Sequence, residues 1–241
     1  MSGGSTAPGW YADPWFPGGV RWFDGQQWTP HAGPAGPSDH YDAQKGRDTA
    51  RWAGWAFLAR GVVLAAQVVA FPFAISRLFA TLDEPGTTPF EIDGFVAFAS
   101  IAQLAGLVGT ACLVGVCIWT FRATRNARAL GLATSFEPGL AVAGWIIPFA
   151  QYVMPYLAVR DLFPEGHPGR RAVTRWWASE IGAVVIAMAA VATAMAAGSG
   201  PGVVVGCVAA GLALRAGFSG FRLTRRVLEV HEQLAGAGGA A

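Results

Sequence analysis

Four apolar runs punctuated by arginine constrain this chain more than any other feature: residues 52–71, 95–121, 178–197 and 203–221 are each long enough to cross a bilayer. A span needs about 20 predominantly apolar residues, because the hydrocarbon core is about 30 Å thick and a helix rises about 1.5 Å per residue. Charged residues make up only 13% of the sequence, roughly half the share in a soluble domain, so the chain reads as an all-α polytopic membrane protein. Arginine is gathered at the ends of the runs. Arg122, Arg125 and Arg128 close the second, Arg170, Arg171 and Arg175 precede the third, and Arg222, Arg225 and Arg226 follow the fourth. Cytoplasmic loops carry the arginine excess, so these places face the cytoplasm. The loop at 81–93 carries Asp83, Glu84, Glu91 and Asp93 with no basic residue, and is expected outside. The expected topology is four spans in the plasma membrane with both termini cytoplasmic. A net charge of +2 is too small to imply nucleic acid, which leaves the lipid bilayer as the first partner.

Between the second and third runs lies Glu137 to Phe163, an apolar stretch of the wrong length. Thirteen uncharged residues follow Glu137 before Gln151, and prolines interrupt at Pro148 and Pro155. That is too short to cross. Basic residues on both sides require it to enter and leave on one face, as a re-entrant or interfacial segment, or as packing among the longer helices. The expected membrane domain is therefore 51–230, with the broken segment at 137–163 and a flexible tail at 231–241.

The N-terminal region has a different composition. Trp10, Trp15, Trp22 and Trp28 fall within residues 1–31, punctuated by Asp13-Pro14, Pro17-Gly18-Gly19 and Asp24-Gly25. Asp-Gly is a favoured two-residue hairpin turn, here between 20–23 and 26–29, which predicts a tiny antiparallel β module. So few residues bury no ordinary core, and the tryptophans must carry its stability. Residues 32–50 are rich in Pro, Gly and polar residues, and read as a disordered linker.

Two resemblances follow from these residues. Gly9-Trp10-Tyr11, Asp13-Pro14, Arg21-Trp22-Phe23-Asp24-Gly25 and Trp28-Thr29 resemble the short family called domain of unknown function 2510. That likeness implies a module at the end of a bacterial membrane protein, with no established activity. Over about residues 50–230 the order of Trp119, the arginines that follow it, Ala141-Val142-Ala143-Gly144-Trp145 with Pro148, Pro155-Tyr156, Arg160-Asp161-Leu162 and Trp176-Trp177 is similar to domain of unknown function 4328. It implies a multi-pass membrane protein and supplies no catalytic residues.

Ionisable residues inside spans are costly, about 2.5 to 3.5 kcal/mol at mid-helix on translocon scales, so each one is a functional candidate. Arg60, Glu180 and Arg215 lie at similar depths in the first, third and fourth runs. They are expected to form an intramembrane polar cluster, either a structural ion pair with snorkelling arginines or a substrate or ion site. Trp145, Pro148, Pro155, Tyr156 and Arg160 mark the broken segment. Trp10, Tyr11, Trp15, Trp22 and Trp28 are the candidate interaction residues of the module.

No His-Glu-x-x-His, Gly-x-Ser-x-Gly, phosphate-loop or Cys-x-x-Cys motif occurs, so neither an enzyme nor a metal or other cofactor is expected. Cys112, Cys117 and Cys207 sit inside apolar runs and read as packing residues. The function these features support is a noncatalytic membrane scaffold presenting a cytoplasmic Trp-rich module to a protein partner. The alternative is a small transporter or channel subunit built on the broken helix at 137–163. The sequence specifies no partner's identity and no oligomeric state.

Overall fold

The computed structural model describes residues 7–15, 19–34, 41–82 and 93–238, in two compact units divided after His40. The N-terminal unit is a three-stranded antiparallel sheet in the order β1-β2-β3, with β1 Gly9–Ala12, β2 Gly19–Phe23 and β3 Trp28–Pro34. Tyr11 stands opposite Arg21, and Phe23 opposite Trp28. The β2–β3 connection corrects the expected two-residue hairpin: residues 24–27 all belong to the turn. Asp24 sets it, because Oδ1 accepts the N–H groups of Gln26 at 2.8 Å and Gln27 at 2.7 Å, while Gly25 takes φ +98°. Those two amides hold the Asp24 carboxyl below the usual carboxylate range.

The second unit is helical: α1 Ala43–Leu82, α2 Asp93–Ala129, α3 Pro138–Ala143, α4 Met154–Arg160, α5 Gly169–Ala197 and α6 Ser199–Gly238. Four of these helices, α1, α2, α5 and α6, are long and apolar enough to cross a membrane. The acidic loop residues Asp83, Glu84 and Glu91, and linker residues 35–40, lie outside the described residues. At 40 residues, α1 and α6 measure about 60 Å, twice the hydrocarbon thickness, so each continues past the bilayer.

Two boundaries differ from the composition-based reading, for the same physical reason. Residues 43–50, read as linker, form the first turns of α1. Asp42 Oδ1 accepts the Lys45 N–H at 2.9 Å and caps the helix, which holds its carboxyl below the usual range. The Asp42 N–H donates to Asn126 Oδ1 at 3.1 Å, and Asn126 Nδ2 returns a bond to the Asp42 carbonyl at 3.2 Å. Tertiary anchoring thus starts the helix where local propensity does not. Residues 231–238, read as a flexible tail, instead complete α6. Val227, Val230 and His231 are buried on one face, and His231 Nε2–H donates to the Leu162 carbonyl at 3.1 Å. That side chain lies beyond Arg222, Arg225 and Arg226, outside the span at 203–221, and burial lowers its pKa to about 4.

Helix α6 is the spine of the unit, packing along both α1 and α5. The α1–α6 crossing brings backbone against backbone. A Cβ on Gly61 would sit 2.8 Å from the Ala213 carbonyl oxygen, and one on Gly217 would sit 2.9 Å from that of Phe57. Small residues permit this approach in lipid, where no hydrophobic force drives helices together. Two cores result. One, built from alanines and Val68, joins α1, α5 and α6 at the level of Ala183 and Ala209. The larger one gathers Phe57, Trp119, Leu162, Phe163, Trp176 and Leu223, at the level of the arginine-bearing helix ends.

The broken segment closes this larger core. The six residues of α3 and seven of α4 give helices about 9 and 10 Å long, far short of a span. A 3-10 turn at Ala150–Tyr152 separates them. Ser135, just before α3, donates its backbone N–H to Asp161 Oδ2 at 3.0 Å just after α4, and its hydroxyl bonds the same oxygen. The segment therefore returns to its starting point. Phe149 holds φ +66° at its tip, in a conformation disfavoured for a side chain of that size.

Candidate functional site

A cavity of about 430 Å³ opens among α1, α2, α5 and the broken segment, lined by Phe57 and Arg60, one face of α2 that includes Gly106, Gly109 and Thr110, Trp145, Gln151 and Tyr152, and Trp177 and Glu180 of α5. Each side supplies a distinct element. On α2, Gly106, Gly109 and Thr110 recur at helical spacing, and their small side chains leave the space that a bulkier face would fill. The broken segment contributes Trp145, whose Nε1–H donates to Thr120 Oγ1 at 3.1 Å. It is further fixed by the Tyr152 carbonyl, which accepts the Trp177 Nε1–H at 3.1 Å.

The floor is aromatic. Phe57 meets Trp119, Trp145 and Trp176 at centroid distances of 6.0, 6.3 and 5.5 Å, and Trp176 meets Trp177 at 5.2 Å. Edge-to-face and tilted contacts of this kind add directional energy to apolar burial. These ring contacts and two hydrogen bonds tie the broken segment to α1, α2 and α5.

Within this apolar surround sits one ion pair. Arg60 Nη1 lies 2.8 Å from Glu180 Oε1 and 2.6 Å from Oε2. Glu180 is 8% exposed and Arg60 38%, so the carboxylate is enclosed while the guanidinium still reaches the cavity. The remaining Arg60 donors point the site toward anionic or hydrogen-bond-accepting groups rather than cations.

Of the intramembrane residues singled out from sequence, the structure brings Arg60 and Glu180 together and sets Arg215 apart. Arg215 is exposed and lines a groove between α5 and α6 with Arg175, Arg222 and Arg226. Its depth matches the pair, but its azimuth does not: Ala213 and Gly217 face the neighbouring helices, and two residues turn a helix by about 200°.

The broken-segment residues divide by role. Trp145 lines the cavity, whereas Pro148 is exposed and precedes the turn at Phe149. Pro155 is buried in the first turn of α4, where its missing N–H costs nothing. The Tyr156 hydroxyl is 3.3 Å from Thr174 Oγ1, and the Arg160 guanidinium stacks 5.8 Å above the Tyr156 ring while donating to Asp161 Oδ1 at 3.1 Å. Tyr156 thus ties α4 to α5, and none of Pro155, Tyr156 and Arg160 lines the cavity.

In the module, Asp13 is buried, and Arg21 binds it through Nε and Nη2, each at 3.0 Å, while Nη1 donates to the Thr29 carbonyl at 3.1 Å. The Arg21 guanidinium also lies 5.0 Å from the Trp15 ring centroid. Trp28 packs against Phe23, Tyr11 and Trp15 at 5.2, 6.1 and 6.3 Å. Trp22 is half-buried, opposite Trp10 in register; the Trp10 side chain lies outside the described part. Trp15 remains 66% exposed and Tyr11 37%.

Sequence reasoning missed the cavity's Gly106, Gly109 and Thr110, although their i, i+3, i+4 spacing on one face of α2 was a readable signal. It also missed Asn126, whose only sign is an amide amid arginines at the end of a span. Among the described residues no three His, Cys, Asp or Glu side chains converge as a metal site.

A family model described as domain of unknown function DUF4328 matches residues 87–227, more than half of the chain, and one described as protein of unknown function DUF2510 matches residues 8–41. The first runs from α2 into α6 as far as Val227 and takes in the Glu180 side of the cavity; Arg60 lies before it. No curated protein and no solved structure matches the chain. The chain belongs to the DUF4328 family, with a DUF2510 module at its N-terminal end.

Proposed function

We propose that the protein is a noncatalytic scaffold of the plasma membrane that presents its Trp-rich module to a protein partner on the cytoplasmic side. The exposed aromatic surface of the module carries this reading. Trp15 stands 66% exposed yet is braced by Arg21 and Trp28. A large ring held still before binding loses little entropy on contact, which is how interface hot spots gain their energy. The cytoplasmic orientation of both termini is supported by the arginines at one end of each span. The broken segment reads as an interfacial hairpin on that same side, because Ile146, Ile147, Phe149 and Val153 are exposed and apolar and find an apolar environment only in lipid. Affinity purification from native membranes tests the scaffold: Trp15→Ala should lose a partner that the wild type retains. Identical partner sets for the wild type, Trp15→Ala and a chain lacking residues 1–35 would contradict it.

A second reading, a small transporter or channel subunit, is favoured by the cavity beside the broken segment and by the Arg60–Glu180 pair in its wall. Solute flux into proteoliposomes that falls in Glu180→Gln or Pro148→Ala would support it. Flux indifferent to both would remove it.

A further inference from the structure

We propose that the groove between α5 and α6 is a binding site for a phosphate group, on an anionic phospholipid or as the free anion. Four arginines line it, Arg175 from α5 and Arg215, Arg222 and Arg226 from α6, around a volume of about 350 Å³. The spacing is regular: Arg215, Ser219, Arg222 and Arg226 follow i, i+4, i+7 and i+11, which is one stripe of a helix. The arginines extend about 16 Å along the axis, from within the last turns of the span to beyond its end.

The groove gathers four arginines without a counter-charge among the described residues, whereas several others are paired. Elsewhere Arg21 pairs with Asp13, Arg47 with Glu232, Arg60 with Glu180 and Arg160 with Asp161. Among the described residues, none of the four groove arginines has a carboxylate within ion-pair distance. Like charges gathered beside a low-dielectric membrane repel one another, and an anion between them removes that cost.

The donor chemistry selects phosphate. Guanidinium presents paired N–H groups that match two oxygens of one phosphate. Ser219 does not compete, since its hydroxyl already donates to the Arg215 carbonyl at 2.7 Å. Arg222 lies 4.4 Å over the Phe218 ring; stacking occupies its face and leaves its N–H rim free. Phe218 is 48% exposed and adds an apolar wall beside the charges, as a lipid's glycerol and acyl chains require. Basic pockets between spans at the arginine-rich membrane face are suited to such headgroups.

The test uses the full-length protein in detergent, with thermal melting followed in mixed micelles of phosphatidylglycerol, in phosphatidylcholine, and with inorganic phosphate. Phosphatidylglycerol should raise the wild-type midpoint more than phosphatidylcholine. The apparent affinity should fall about tenfold in the Arg215→Gln/Arg222→Gln double variant, and be retained in Arg51→Gln, an exposed arginine outside the groove. Arg175→Gln, at an exposed position of α5, is the second variant should the double variant fail to fold, and should weaken the same response. A variant-sensitive shift with phosphatidylglycerol alone assigns a lipid headgroup; one with inorganic phosphate as well assigns a site open to the free anion. Equal stabilisation by phosphatidylglycerol and phosphatidylcholine with no response to phosphate, or a response retained in the groove variants, overturns the proposal.

Discussion

Arg60 and Glu180, 120 residues apart in the chain, meet at 2.6 Å in the wall of a cavity that is otherwise mostly apolar. Each makes the other tolerable at that depth. Glu180→Gln should therefore destabilise the protein by about 1–3 kcal/mol, below the value for a fully buried pair because Arg60 retains partial access to the cavity. Arg60→Gln should cost a similar amount, and the double variant less than the sum. Melting midpoints in lipid nanodiscs give the cycle. The corresponding cycle between Glu180 and Arg215 should show no coupling; a coupling there would restore the three-residue cluster expected from sequence.

His231 gives the arginine-bearing core a pH dependence. Its folded pKa of about 4 lies below the usual imidazole value of about 6.5, so the neutral form is the one the fold accommodates. Stability is complete above pH about 6.5, falls as pH drops from there toward about 4, and has no further contribution from this group below that. The total is of order 3 kcal/mol. Denaturation midpoints across this range should slope for the wild type and flatten in His231→Gln. An unchanged slope would mean that other groups carry it.

In the module, Asp13→Ala removes the acceptor for Arg21 and for the Trp15 N–H. A partly buried guanidinium that loses its carboxylate and keeps only the Thr29 carbonyl costs about 1–3 kcal/mol. Limited trypsin digestion at Arg21 tracks the population of the opened module and should accelerate roughly tenfold. Cleavage at the wild-type rate would show that the pair does not hold the sheet.

The α1–α6 crossing separates two glycines of one helix. Gly217→Leu must push against the Phe57 carbonyl and the Gly61 backbone, neither of which can move aside cheaply, and should cost about 3 kcal/mol or more. A side chain at Gly211 meets nothing within 4 Å, so Gly211→Ala should stabilise by about 0.5–1 kcal/mol through helix propensity. Thermal melting of the two variants, which should move in opposite directions, checks this.

These cases mark what was legible in the sequence. Run length and arginine placement report on a one-dimensional quantity, depth, and the four long helices and the matching depths of Arg60 and Glu180 follow from it. Azimuth is a tertiary outcome. Arg215 shares that depth, yet close packing of Ala213 and Gly217 turns it away. The start of α1 and the end of α6 were hidden because Asn126 and Leu162 supply their partners from distant segments. The hairpin was misjudged because Asp24 serves as an acceptor for two amides, which lengthens the turn. The cavity depended on a face of small residues on α2, whose spacing is readable but which encloses a space only once α5 and the broken segment stand opposite.

Cysteine accessibility tests most directly the claim that the broken segment is an interfacial hairpin on the same face as the module. In a chain lacking Cys112, Cys117 and Cys207, single cysteines at Thr29, Ser135, Phe149 and His167 are challenged with a membrane-impermeant maleimide on intact and on opened cells. The account predicts labelling of the Thr29, Ser135 and His167 positions only after opening, with the Phe149 position protected throughout by lipid. Labelling of the Phe149 position on intact cells, or of the Ser135 and His167 positions from opposite sides, would contradict it.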